Sequence, residues 1–110
     1  MTDMLETARI LAGQFRDSGL YRDYCNRKKA LEANPLLFER IRAYKKCQYE
    51  LESKRLNEGG VSFDEERRVA YQYTDLSLDP VAGAFLDSEH ELLEAYRIVL
   101  DIISEACEID

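Results

Sequence analysis

The residues able to ligate a metal or act as nucleophiles are few: Cys25, Cys47, Cys107 and His90. A zinc site needs ligands in close pairs. Here the three thiols stand far apart with no C-x-x-C spacing, and the single imidazole sits between Glu89 and Glu91. An odd count of cysteines also argues against a disulfide framework. The thiols are therefore expected to be small, mostly buried side chains, and no metal or cofactor is expected. A general base needs a positioned partner and a pocket. A histidine flanked by two glutamates on a helix implies neither, so His90 is expected to be exposed. The carboxylates Asp87, Glu89, Glu91 and Glu94 read as a solvated helical face. No G-x-S-x-G, P-loop or G-x-G-x-x-G occurs; Gly59-Gly60 is a helix stop. No catalytic residue can be named, and the chain is not expected to be an enzyme.

The elements that position these residues follow from spacing. The 110 residues are 45% hydrophobic and 34% charged, with five Gly, two Pro and no Trp. That is the length of one domain, residues 1–110, with enough apolar content for a core. A many-stranded sandwich would need more turn residues. Apolar residues recur at i, i+3 and i+4 nearly throughout, which predicts an all-α fold of about five helices. The first runs from about residue 3 to about 17, with Leu5, Ala8, Leu11, Ala12 and Phe15 on one stripe. Ser18 can cap a second helix that shows Tyr21, Tyr24, Cys25, Lys28 and Leu31 on one face. Asn34-Pro35 opens a third, which reaches about Asn57 and carries Leu37, Ile41, Tyr44 and Leu51 on one stripe. Phe38, Tyr49 and Leu56 fall on another side of it. Ser62 and Glu65 form a capping box for a fourth helix, whose buried side should hold Phe63, Val69, Ala70, Tyr73 and Leu76. The connection between the third and fourth helices is short, which predicts a long antiparallel hairpin. Asp79-Pro80 repeats the Asn34-Pro35 device and starts a last helix that runs to about Glu108.

That last helix is apolar on two flanks. Phe85, Leu92, Val99 and Ala106 recur every seven residues, as do Leu86, Leu93, Leu100 and Cys107, with Tyr96 and Ile103 filling the stripe. Ile98, Ile102 and Ile109 lie outside it. At ~100° per residue the apolar arc of the last turns spans about 240°, against somewhat over ~100° for a helix on the outside of a monomeric bundle. The chain is therefore expected to oligomerise through helix faces, with a dimer favoured. The expected interface residues are Ile98, Ile102 and Ile109, with Phe38, Tyr49 and Leu56.

Charge is divided along the chain. Residues 1–55 carry 12 Lys and Arg against 8 Asp and Glu; residues 56–110 carry 3 against 14. Basic and acidic helices are thus expected side by side, within a subunit or across a dimer. The overall charge of −7 disfavours a general nucleic-acid binder. The basic half still offers one alternative, an RNA or acidic-partner surface made of Arg27, Lys28, Lys29, Arg40, Arg42, Lys45 and Lys46. Tyr44 and Tyr49 would be its stacking platforms. No run of about 20 apolar residues is present to span a bilayer. The first residues lack a basic lead, so no secretory signal is expected and the cytoplasm is the expected compartment.

Taken in order, Ser18-Gly19-Leu20-Tyr21 with Tyr24 and Lys28, then Leu31-Glu32-Ala33-Asn34-Pro35, then the glycine break before Ser62, then Leu78-Asp79-Pro80-Val81 followed by Phe85, Glu89, Leu92 and the 98–103 block, resemble the YlbF/YmcA/YheA group of small bacterial helical proteins. This is the control-of-competence family. The resemblance covers almost the whole chain. It implies an all-helical, non-enzymatic cytoplasmic protein that works by contact, as a regulatory adaptor in competence, sporulation and biofilm formation. Other regulatory proteins of the same family complex would be its partners. It also implies, as the alternative, an accessory role in RNA processing. Certain relatives are linked to iron–sulfur clusters. Cys107 has no second cysteine near it in sequence, so no cluster is carried over to this chain.

Overall fold

The computed structural model describes residues 2–57 and 59–108. Among them are five α-helices and no strand: α1 (Thr2–Arg16), α2 (Gly19–Glu32), α3 (Pro35–Asn57), α4 (Phe63–Ser77) and α5 (Pro80–Cys107). Each junction is set by a short polar side chain that satisfies backbone N–H groups left unpaired at a helix start. Ser18 Oγ donates to Phe15 O at 2.7 Å and accepts from Tyr21 N at 3.2 Å, so one hydroxyl closes α1 and opens α2. Asn34 Oδ1 accepts from Leu37 N at 3.2 Å. Ser62 Oγ accepts from Glu65 N at 3.1 Å. Asp79 Oδ1 accepts from both Val81 N and Ala82 N, at 2.9 and 3.0 Å. Pro35 and Pro80 stand at first helical positions, where a missing N–H costs nothing. Gly59, just past α3, has φ 75°, a left-handed conformation that glycine adopts without strain.

The contacts divide the chain into two compact units, residues 29–84 and residues 1–28 with 85–110. The 29–84 unit has its core on the stripe expected for α3. Leu37, Ile41, Tyr44 and Leu51 are buried there, with Leu31, Leu76 and Ala82. The Tyr44 and Tyr73 rings meet at 5.9 Å. Ion pairs among the described residues join α3 to α4, including Arg40–Asp75 at 2.8 Å, Lys54–Glu65 at 3.2 Å and Arg55–Glu66 at 3.0 Å. The Glu65 carboxylate, expected to complete the capping box, reaches Lys54 Nζ. Gly83 lies in the first turns of α5 so close to α4 that a Cβ there would be 2.6 Å from Ser77 O.

In the other unit, Phe85, Leu86 and Ser88 are buried, and Ser88 Oγ donates to Phe85 O at 2.8 Å. Tyr24 packs on Phe85 at 5.6 Å and stacks with Tyr21 at 6.3 Å; Phe15 meets Tyr96 edge-on at 6.4 Å.

Three expectations are corrected. Of the side expected to be buried on α4 only Leu76 is buried and Val69 half-buried, while Phe63, Ala70 and Tyr73 are exposed, Phe63 to 73%, because Phe63 and Ala70 lie well round the helix from Leu76. Cys107 is exposed, since it ends α5, while Cys25 and Cys47 are half-buried. The stripes expected to be the buried side of α5 lose their cover past Ser88. Leu93, Tyr96, Leu100 and Ile103 are exposed and Leu92 and Val99 only half-buried. α1 buries no residue at all. The cause is the shortage of neighbours: within this unit α1 and residues 19–28 of α2 accompany α5, and so few helices cannot enclose an apolar arc that wide.

Candidate interaction surface

The site with the clearest physical signature is the distal half of α5 and what flanks it. α5 continues for five turns beyond its buried head because its sequence is helix-favouring, free of Gly and Pro after Gly83. Its polar side is locked by Arg97, whose guanidinium bonds Glu94 one turn back and Asp101 one turn on, the latter at 2.9 Å. The hydrogen bond from Arg97 holds the Glu94 carboxyl below the usual carboxylate range, and Glu94 in turn raises Arg97. The other sides are apolar. Phe15, Arg16, Tyr21, Leu92, Leu93 and Tyr96 line an open groove of about 330 Å³. At its edge the Tyr21 hydroxyl is raised above its ordinary pKa, chiefly by a side-chain hydrogen bond with Cys25. A groove with so largely apolar a lining is suited to hold an apolar surface.

The expected interface residues fall as follows. Ile98 and Ile102 are exposed on α5. Ile109 lies outside the described residues. Tyr49 and Leu56 are among the most exposed side chains of α3, and Phe38 is half-buried with the Arg42 guanidinium 5.9 Å from its ring centre. Ile98 and Ile102 belong to one compact unit, Phe38, Tyr49 and Leu56 to the other. Leu93, Tyr96, Leu100 and Ile103 are surface residues that sequence reasoning assigned to the core. Their periodicity was visible, but periodicity tells which residues share a face and not whether anything covers it.

The expected basic surface is partly spent on internal pairs. Arg27 bonds Asp23 at 3.2 Å, Arg40 bonds Asp75, and Arg42 bonds Glu39 at 3.2 Å. Lys28, Lys29 and Lys46 are exposed and Lys45 is half-buried. Of the two tyrosines suggested as stacking platforms, Tyr44 is buried in the α3–α4 core and cannot serve, while Tyr49 is exposed. His90 is exposed. Among the described residues no three His, Cys, Asp or Glu side chains are grouped to hold a metal ion. No helix among them is long and apolar enough to cross a membrane.

A family model described as "Control of competence regulator ComK, YlbF/YmcA" matches residues 4–108. The chain belongs to this family. That description names control of a regulator, the competence regulator ComK. A UPF0342 protein of Desulfitobacterium hafniense is 31% identical over 101 residues, covering 92% of this chain and 82% of that one. A UPF0342 protein of Caldicellulosiruptor saccharolyticus is 28% identical over 109 residues, covering 99% and 91%. Another, from Caldicellulosiruptor bescii, is 27% identical over 108 residues, covering 98% and 91%. No solved structure matches the chain.

Proposed function

We propose that this YlbF/YmcA-family protein is a non-enzymatic regulatory adaptor. It acts in the cytoplasm by docking exposed apolar helix faces on other proteins, a second copy of itself included. The process it serves is control of competence, and with it sporulation and biofilm formation. The observation that carries this reading is the uncovered distal half of α5, where Leu93, Tyr96, Ile98, Leu100, Ile102 and Ile103 are all exposed. A chain of net charge −7 has no shortage of polar residues to place on a surface. Contiguous apolar exposure of this kind marks an interaction site. The 29–84 unit adds a second face on Phe38, Tyr49 and Leu56. Its helices α3 and α4 are proposed to form an antiparallel hairpin, supported by Arg40 meeting Asp75 near one end and Arg55 meeting Glu66 near the other.

Affinity capture from the native cell, with mass spectrometry and with and without nuclease, tests the reading. The expected result is a defined set of proteins, insensitive to nuclease, that is lost with Ile98→Asp plus Ile102→Asp. Recovery of RNA alone, lost on charge reversal of Lys28, Lys29, Lys45 and Lys46 and weakened by salt, would replace it with the RNA-processing reading. That alternative is weakened by the three arginines already paired to carboxylates of the same chain.

A further inference from the structure

Ile98 and Ile102 stand 48 and 62% exposed on α5, and they continue a row of acids. Asp87, Glu91, Glu94, Ile98, Ile102 and Glu105 follow one another at spacings of three and four, which sets them within an arc of about 80° on one face of the helix. At 1.5 Å per residue the row is about 27 Å long. Its middle is apolar; carboxylates precede the isoleucines and follow them. Arg97 is the only Lys or Arg from residue 80 to the end of the chain. It lies farther round the helix and is bonded to Glu94 and Asp101. Asp87, Glu91 and Glu105 are exposed and have no cation partner among the described residues.

We infer that this row docks a basic amphipathic helix of another protein. That helix is about 18 residues long, with an apolar middle for Ile98 and Ile102 and with Lys or Arg toward both ends of the same face. The inference rests on the contact reading above and names the chemistry of the partner. Charge decides it. Covering the isoleucines takes water from the carboxylates on the same face, which costs free energy unless a cation or donor meets them. An apolar or acidic partner leaves Asp87, Glu91 and Glu105 unmet. A basic helix pairs them as it seats on the isoleucines, and their field draws it in. Docking of one amphipathic helix on another reads a face at these same spacings. A second copy does not fit the row. α5 against α5 would set carboxylate against carboxylate, and Arg27, Arg40, Arg42 and Arg55 already bond carboxylates of their own chain.

Fluorescence anisotropy with labelled synthetic peptides of about 18 residues, titrated with the full chain at low salt, tests the assignment. The first peptide is a helix with Leu in the middle of one face and Lys toward its ends. The second has the same residues shuffled, and the third has Glu for Lys. The first should bind with a Kd of micromolar order that weakens as salt is added. The shuffled peptide should bind at least about tenfold more weakly, and the acidic peptide not at all. Glu91→Lys with Glu105→Lys, and separately Ile98→Ala with Ile102→Ala, should each weaken the first peptide about tenfold with helical circular dichroism retained. Glu50→Lys with Asp64→Lys, equal in charge but on α3 and α4, should change it by less than about twofold. Equal binding of the shuffled peptide, or equal weakening by both charge reversals, reduces the effect to net charge and overturns the assignment. A parent that binds none of the peptides overturns it too. So does a light-scattering mass of two chains that falls to one with Ile98→Ala and Ile102→Ala, which gives the row to a second copy. In each of these cases the adaptor reading is still decided by its capture experiment. Should a variant lose its helicity, hydrogen exchange of the parent with the first peptide decides. Added protection of amides 91–105 supports the docking, and protection confined elsewhere overturns it.

Discussion

Replacing Gly83 by alanine should destabilise the protein although it adds a better helix former. In the interior of an exposed helix, Gly→Ala is worth about 1 kcal/mol in favour of the folded state. At Gly83 the new Cβ would sit 2.6 Å from Ser77 O and 3.3 Å from Ser77 C. Both are backbone atoms, so no side chain can swing aside. The start of α5 must move away from the end of α4 by well over half an ångström. The capping bonds that Val81 N and Ala82 N donate to Asp79 lie at that same corner and must bend with it. Forcing an extra carbon into a packed site costs typically ~1–3 kcal/mol. The net expectation is a loss of up to about 2 kcal/mol, a fall of several degrees in midpoint for a chain of this size. Gly13 supplies the control. It lies inside α1, and a Cβ there meets only the end of the Arg16 side chain at 3.9 Å. Gly13→Ala should therefore raise the midpoint by a few degrees. Thermal unfolding followed by circular dichroism on the two variants and the parent reads the contrast. Equal stabilisation by both substitutions would show that α4 and α5 do not approach as closely as described.

Other expected outcomes follow from the same structure. Asp79→Ala removes the acceptor for two N–H groups and should cost ~0.5–2 kcal/mol in urea unfolding, with Asp79→Asn restoring most of it. Leu31→Ala empties a fully buried position and should cost ~2–5 kcal/mol, a large part of the ~5–15 kcal/mol that holds a domain folded. In a carbon-detected NMR titration the Glu94 carboxyl should titrate below the ordinary glutamate range, and Arg97→Gln should return it upward. The sign follows from the hydrogen bond, which favours the ionised carboxylate; the pair is present above the usual glutamate pKa and is lost as pH falls through the depressed value. An unchanged titration in the variant would remove Arg97 as the cause.

The helix boundaries were legible in the sequence because caps are local chemistry. Ser18, Asn34, Ser62 and Asp79 each bond an N–H within three residues, and Pro35 and Pro80 report their own backbone angle. The α3 core stripe was legible for a related reason: α4 follows after a short connection and covers it. What stayed hidden depends on neighbours distant in the chain. The spacing of Leu93, Tyr96, Leu100 and Ile103 fits a buried face and an open seam equally well; the structure decides for the open seam because few helices share that unit. Phe63 was grouped with Leu76, but at ~100° per residue the two lie about 140° apart around α4, and only the Leu76 side is covered. Gly83 gave one usable signal, a glycine inside an otherwise unbroken helical pattern, which often marks a close backbone approach. Arg40 and Arg42 add to the basic charge of the first half of the sequence, but in the fold they pair with Asp75 and Glu39.

The central claim is that this protein works through its uncovered apolar helix and not through chemistry at a side chain. Rescue of competence-gene expression in cells lacking the gene measures that most directly. A chain carrying Ile98→Asp and Ile102→Asp, shown to be folded, should fail to rescue, while His90→Ala rescues fully. Full rescue by the α5 variant, or loss of rescue with His90→Ala, would contradict the claim.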